Sequence, residues 1–181
     1  MANDSWATPQ TVYNALNLEF EFCADMAASE ENAKHSIYWT ENDTPNSLDM
    51  NWRSALSQMP ITNPWVWVNP PYSDISPWVD KAIEAQRQGV GSVMLVMADP
   101  SVKWFSKAAE YATEIRFVTN GRIAFLENGK PKSGNNKGSV FFIFAPKIIG
   151  AAKTTYVTRH ELLALGQPAL ETKPDNYGLA A

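Results

Sequence analysis

Four consecutive residues, Asn69-Pro70-Pro71-Tyr72, combine two hydrogen-bond acceptors with a flat aromatic ring. The side-chain oxygen of Asn69 and the backbone oxygen of Pro70 can both accept hydrogen bonds from one amino group. An amino group on an aromatic ring or an amide is a poor nucleophile, because its lone pair is delocalised. Two positioned acceptors favour a pyramidal nitrogen whose lone pair faces an electrophile. The tetrapeptide therefore predicts alkylation of a conjugated NH2 group.

The other residues of this tetrapeptide suit the same chemistry. Proline fixes the backbone and supplies a carbonyl without a competing N–H. Tyr72 offers a face on which an extruded base can lie, an interaction worth roughly 1–3 kcal/mol. We therefore predict that Asn69, Pro70, Pro71 and Tyr72 form a catalytic loop; the alternative is a rigid turn with a buried tyrosine.

The tetrapeptide follows residues 64–68, which are aromatic and β-branched and predict a buried strand. Two consecutive prolines cannot continue a central ladder, so this strand must end before Pro70. Open α/β sheets bind their ligands at the carboxyl ends of strands. The loop is thus predicted to lie where such sheets place their sites.

A second group surrounds Asp25, at the end of a strand predicted over residues 19–24. A carboxylate there could hold the amino group of a cationic methyl donor, and Ala27 and Ala28 are small enough to let the chain approach it. The first glycine is Gly89, so the usual glycine-rich nucleotide loop is absent and these alanines would have to replace it. A helix-capping role for Asp25 is the alternative.

Two further segments, Trp6-Ala7-Thr8-Pro9 and residues 47–52, flank this group. Asp49 is predicted to accept a hydrogen bond from the adenosine part of the donor. Glu41 or Asp43 could instead take the ribose hydroxyls.

Charge is distributed unevenly along the chain. Residues 1–90 carry a net charge of −8 and residues 91–181 a net charge of +4, although the whole chain is at −4. This asymmetry fits a protein with one face that meets phosphates, and an ordinary solvated surface is the alternative. The basic residues predicted to contact these phosphates are Arg122, Lys130, Lys132 and Lys137.

Strand and helix patterns alternate, which predicts an α/β domain with a mostly parallel sheet. An apolar run at residues 139–145 predicts a closing, antiparallel strand. The remaining predicted strands cover residues 19–24, 35–40, 64–68, 92–97, 115–118 and 123–126, and the predicted helices cover 10–16, 29–34, 78–88, 102–113 and 159–165.

Length and composition set broad limits. The 181 residues fit one domain over residues 1–150, followed by an extension, 151–181, with a short helix and a loose tail. The sequence has neither a run of about eighteen apolar residues nor the features of a signal peptide, so we expect a cytoplasmic protein without a membrane segment. With one cysteine and two separated histidines, we expect neither a disulfide nor a metal site.

Taken together, these motifs resemble the small phage-type DNA adenine methyltransferases of the Dam family. The resemblance extends from Trp6 to about Pro146. It rests on residues 6–9, 22–28, 48–52, 68–73, 121–125 and 138–142, and on the helix after Pro77.

The resemblance implies a Rossmann-like methyltransferase fold, S-adenosylmethionine as the donor and N6-methyladenine in DNA as the product. It also implies that the donor lies near Trp6, Thr8, Pro9 and Asp25, and that the catalytic tetrapeptide holds an adenine extruded from the duplex. The chain leaves little room for a target-recognition domain, so only residues 122–137 are available to read bases or follow phosphates.

Other methyl acceptors and one non-catalytic function also fit the sequence. The same tetrapeptide chemistry suits cytosine N4, guanine N2 in RNA or a glutamine amide in protein. Methylation of cytosine C5 needs a thiolate nucleophile, usually in a Pro-Cys pair, and Cys23 has no such context. The seven tryptophans and the basic stretch could also form a non-catalytic module that binds single-stranded nucleic acid.

Overall fold

The computed structural model describes residues 6–62, 64–127, 129–132 and 137–168. The helices are α1 (Gln10–Phe20), α2 (Trp52–Leu56), α3 (Ser76–Arg87), α4 (Lys103–Tyr111) and α5 (Arg159–Leu165). The strands are β1 (Ala24–Asp25), β2 (Trp65–Val68), β3 (Gly91–Met97), β4 (Glu114–Thr119), β5 (Leu126–Glu127), β6 (Lys130–Pro131), β7 (Ser139–Phe144) and β8 (Lys153–Thr158).

The main sheet has the strand order β1-β2-β3-β7-β4-β8, and β5 pairs with β6 in a separate hairpin. Strand β7 runs antiparallel to both of its neighbours, and the other pairings in the main sheet are parallel. The α/β fold with a mostly parallel sheet is thus confirmed, as is the antiparallel direction of the strand predicted over residues 139–145. That strand does not close the sheet, however, because it lies between β3 and β4.

The central strands are buried on both faces, which explains their nearly continuous apolar sequences. Val66, Val68 and Met94 face a core that includes residues of α3 and α4. Trp67 and Val93 face a second core, to which α1 and α5 contribute. The sheet therefore forms the middle layer of three.

The first part of the chain differs from the sequence prediction. Helix α1 continues to Phe20, so the strand predicted over residues 19–24 is reduced to Ala24–Asp25. The helix ends where Glu21 adopts a left-handed conformation (φ 50°), and the Asn17 side chain accepts a hydrogen bond from the backbone N–H of Phe22 at 2.9 Å. The helix predicted near residues 29–34 consists of turns, and the strand predicted at residues 35–40 contributes an isolated bridge at Tyr38.

The chain after β7 adds a strand that the sequence analysis did not identify. Strand β8 pairs in parallel with β4, and the predicted helix over residues 159–165 follows it as α5. Thr158 and Glu161 form a capping box at the start of this helix. The Asn14 side chain on α1 donates a hydrogen bond to the carbonyl of Gly166 at 3.2 Å, so this segment packs against α1.

Among the described helices, none is long and apolar enough to cross a membrane. The described residues also contain no group of three or more His, Cys, Asp or Glu side chains arranged to hold a metal ion. The tail predicted after the last helix lies mostly outside the described residues, which end at residue 168.

Candidate active site

A cavity of about 1160 Å³ lies at the edge of the sheet where β1 and β2 end. It exceeds the usual range for small-molecule sites, roughly 300–1,000 Å³, and so has room for a donor and an acceptor group together. All four residues of the predicted catalytic loop line it, together with Trp6 and Ala27. The other lining residues are Ala7, Ala28, Ser29, Glu30, Glu31, Asn32, Trp39, Thr40, Glu41, Asn42, Asn46, Ser47, Leu48, Asp74, Pro77, Trp78, Phe125, Leu126 and Gly129.

Asn69 follows the last residue of β2 and lines this cavity. Its side-chain oxygen is buried and has no hydrogen-bond partner among the described residues. Buried polar atoms are nearly always paired, and leaving one unpaired costs about 1–3 kcal/mol. Asn69 therefore places an acceptor oxygen without a described partner beside the cavity that the residue lines.

Tyr72 belongs to a row of aromatic rings that line the same cavity. Its ring meets Phe125 edge to face at a centroid distance of 5.9 Å and an angle of 81°, and Phe125 stacks against Trp6 at 6.2 Å. The Tyr72 hydroxyl is buried without a hydrogen-bond partner among the described residues, and this burial raises its pKa. The sequence analysis did not single out Phe125 as a site residue, although it lies in one of the motifs that carried the resemblance.

The amino-terminal motif reaches the cavity through a backbone bridge to the β5–β6 hairpin. Ala7 and Leu126 exchange two backbone hydrogen bonds of 2.8 Å, which place Trp6 and the hairpin at the same wall. Thr8 is buried and Pro9 precedes α1, and neither lines the cavity. Of the three residues predicted near the donor in this motif, Trp6 is the one at the wall.

Asp25 is buried behind one wall of the cavity and does not line it. Its two carboxylate oxygens accept hydrogen bonds from the backbone N–H groups of Ala27 (3.2 Å) and Lys34 (3.0 Å). Burial raises the pKa of Asp25 to about 6, and these two hydrogen bonds partly oppose the increase. The carboxylate therefore holds the loop that carries Ala27 and Ala28 into the cavity wall.

We expect Asp25→Asn to flatten the pH dependence of stability between about pH 4 and pH 6. The pKa of Asp25 is raised in the folded protein, so the folded state binds more protons than the unfolded state in this window, and stability falls as pH rises. The rise in the pKa of Asp25 from 3.8 to about 6 corresponds to about 3 kcal/mol of folding stability. The protein has this stability below both pKa values and loses it above them. Urea unfolding at a series of pH values measures how the free energy of unfolding changes with pH. Equal slopes for the wild type and Asp25→Asn would contradict a raised pKa of Asp25.

The acidic residues considered for the adenosine part of the donor occupy different positions. Glu41 lines the cavity, whereas Asp43 and Asp49 do not. Asp43 accepts a hydrogen bond from the backbone N–H of Thr40, and Asp49 accepts one from the Asn46 side chain at 2.8 Å. Asp49, the residue preferred from the sequence, is exposed and already serves a local turn.

The charge of the cavity wall is negative. Four carboxylates line it, and none of the described lysines or arginines does; the carboxylates belong to Glu30, Glu31, Glu41 and Asp74. Such a wall favours a cationic ligand and disfavours phosphate.

The basic residues predicted to contact DNA are all exposed and lie outside the cavity wall: Arg122, Lys130, Lys132 and Lys137. Lys132 forms an ion pair with Glu127, and Lys137 forms one with Asp99. Part of the positive charge counted along the sequence is therefore balanced locally.

Comparisons with known proteins give a family match and similar proteins of known name. A family model described as "DNA N-6-adenine-methyltransferase (Dam)" matches residues 1–169. A protein named DNA N-6-adenine-methyltransferase from Haemophilus phage HP1 is 34% identical over 169 residues, which cover 90% of this chain and 91% of that relative. A protein of the same name from Escherichia phage T1 is 34% identical over 170 residues, which cover 84% of this chain and 67% of the relative.

Proposed function

Since the chain belongs to the Dam family of DNA N-6-adenine-methyltransferases, we propose that it methylates the exocyclic amino nitrogen of adenine in DNA, with S-adenosylmethionine as the donor. The observation that carries the proposal is that Asn69, which lines a large cavity, has a buried side-chain oxygen with no hydrogen-bond partner among the described residues. Asn69 follows β2 at the carboxyl end of the strand, and Tyr72 lines the same cavity.

The residues around the cavity suit this donor. When bound, S-adenosylmethionine supplies an electrophilic methyl group on a positively charged sulfur. The negative wall favours its charge, and Glu41 is the lining carboxylate that we assign to the ribose hydroxyls. Trp6 and Ala27 contribute apolar surface, and Asp25 acts indirectly by holding the loop of Ala27 in place.

Asn69 and Pro70 prepare the adenine for attack. The side-chain oxygen of Asn69 and the backbone oxygen of Pro70 accept hydrogen bonds from the two N–H groups of the amine, which draws the lone pair out of the ring system. Pro71 fixes the backbone of the loop, and Tyr72 provides the face against which the extruded base rests. The methylated nitrogen releases its extra proton to solvent, so no strong base is needed.

We assign contact with the phosphate backbone to Arg122, Lys130, Lys132 and Lys137, which lie outside the negative cavity. Phosphate contacts fix the position of a protein on a duplex, whereas contacts to base edges read its sequence. The division between a negative cavity and positive surroundings suits a site that binds a cation inside and a polyanion outside.

A methyl-transfer assay tests the proposal. Labelled donor is supplied with duplex DNA, single-stranded DNA, RNA and protein as separate acceptors, and the modified product is then identified. We expect the label in DNA, as N6-methyladenine. Label in RNA, in protein or on cytosine N4 would replace this function by one of the other amine alkylations, and the absence of transfer to any acceptor would contradict it altogether.

A further inference from the structure

The edge of the sheet that carries the cavity is divided by charge. We call it the carboxyl edge, because β1, β2, β3, β4 and β8 end there and the antiparallel β7 begins there. The loops after β1 and β2 carry the four carboxylates of the cavity wall, and Lys34, a cation in the first of these loops, is half-buried beside Asp25. The chain segments next to β3, β4, β7 and β8 carry six cations: Lys103, Arg122, Lys130, Lys132, Lys137 and Arg159.

Two of these six cations, Lys103 and Arg159, have no role yet assigned. Lys103 is the first residue of α4, and Arg159 is the first residue of α5. Both are exposed, and neither forms an ion pair with an acidic group among the described residues. A positive charge in the first turn of a helix is unfavourable, so neither is explained by stabilising its own helix.

The acidic groups on this half of the edge already have partners. Asp99 pairs with Lys137, Glu127 pairs with Lys132, and Glu161 accepts the capping hydrogen bonds of Thr158. Lys103 and Arg159 therefore form no ion pair with a described carboxylate, and this half of the edge carries six described cations against three described carboxylates.

Arg159 lies against the turn that carries Arg122. A Cβ atom at Gly121 would lie 2.9 Å from Cδ of Arg159, and Gly121 has a φ of +127° that disfavours other residues. The positive φ favours glycine here, and the contact places Arg159 beside the turn that Arg122 follows. Lys103 lies at the opposite end of this half, after β3.

We propose that Lys103 and Arg159 bind DNA phosphates and that the duplex lies across the β3–β7–β4–β8 half of the carboxyl edge. This inference rests on the proposed function, since it takes DNA as the substrate. The positive half then holds the polyanion, and the negative half, after β1 and β2, remains open to a cationic donor. The boundary between the two halves lies between β2 and β3, beside Asn69, which follows β2.

The salt dependence of DNA binding tests this arrangement. Lys103→Gln and Arg159→Gln are each compared with Lys147→Gln, an exposed lysine that follows β7 at the other edge of the sheet. We measure the affinity for a synthetic adenine-containing duplex over a range of salt concentrations. Each of the first two variants should reduce the slope of log affinity against log salt by about 0.9, the value of one lost phosphate contact, and the control should keep the wild-type slope.

The measurements distinguish failure of this inference from failure of the proposed function. Wild-type slopes for both Lys103→Gln and Arg159→Gln, or an equal reduction for Lys147→Gln, would overturn the inference. Thermal stabilisation by S-adenosylhomocysteine, measured on the same variants, verifies that they fold and keep the donor site. Failure of the wild-type protein to methylate DNA in the assay above would instead overturn the proposed function.

Discussion

Replacing Asn69 with alanine should lower turnover on duplex DNA by about 10²–10³-fold, the usual cost of losing one positioned hydrogen-bonding group. The side-chain oxygen of Asn69 is unpaired in the structure, so its removal breaks no internal hydrogen bond to a described residue. The variant should therefore fold normally and bind the donor as the wild type does. Single-turnover kinetics measures the effect on the chemical step.

The aspartate variant provides the control for this experiment. Asn69→Asp keeps an acceptor oxygen at the end of β2, so it should retain more activity than Asn69→Ala. Thermal unfolding with and without S-adenosylhomocysteine monitors the fold and the donor site of both variants. Wild-type turnover in Asn69→Ala, or equal losses in the two variants, would remove the role assigned to this oxygen.

Replacing Tyr72 with leucine should lower kcat/KM for DNA by about 5- to 150-fold, because the loss of stacking on an extruded base is worth roughly 1–3 kcal/mol. Leucine removes the ring but retains apolar volume against Phe125. The loss should appear with DNA as the varied substrate, and the affinity for the donor should change little. Steady-state kinetics and a donor-binding titration measure the two quantities separately.

Tyr72→Phe is the matched variant, since it keeps the ring and removes a buried hydroxyl that has no described partner. Deleting an unpaired polar group costs little, so this variant should match the wild type in stability and in kcat/KM. A large loss in Tyr72→Phe would show that the hydroxyl, and not the ring face, carries the effect.

The sequence predicted helices and strands well where one hydrophobic period, that of a helix or that of a strand, dominated the segment. The apolar runs of β2, β3 and β7 and the helices α3 and α5 were predicted within a few residues of their observed bounds. These elements are long or bounded by proline, glycine or a capping box, so local chemistry determines them. Residues 19 and 20 fit both helical and strand periods. In the structure α1 continues through Phe20, and Phe22 lies outside the helix in the core beside α1.

Strand β8 shows what local patterns cannot predict. Its residues are partly exposed, with Tyr156 70% accessible, and the strand exists because it pairs with β4. The position of β7 between β3 and β4 likewise depends on the whole sheet, since a strand pattern does not specify its neighbours.

For the candidate site, the sequence predicted which loop lines the cavity better than it predicted the contacts of the individual side chains. The loop from Asn69 to Tyr72 lines the cavity, as the tetrapeptide pattern indicated. For Asp25, the residue type suggested contact with a ligand, but its carboxylate is used by backbone N–H groups from its own loop. Phe125 reaches the site because the Ala7–Leu126 bridge joins segments more than a hundred residues apart, and such a contact leaves no local signal.

The position of β7 has a consequence for how the protein is made. Strands β1, β2 and β3 form one group and β4 belongs to another, and β7 joins them by pairing with β3 on one side and β4 on the other. During synthesis on the ribosome, the two groups cannot be joined until residue 144 has left the exit tunnel. A polypeptide released before that point exposes the unpaired edge of β3, an apolar strand, and such edges promote aggregation.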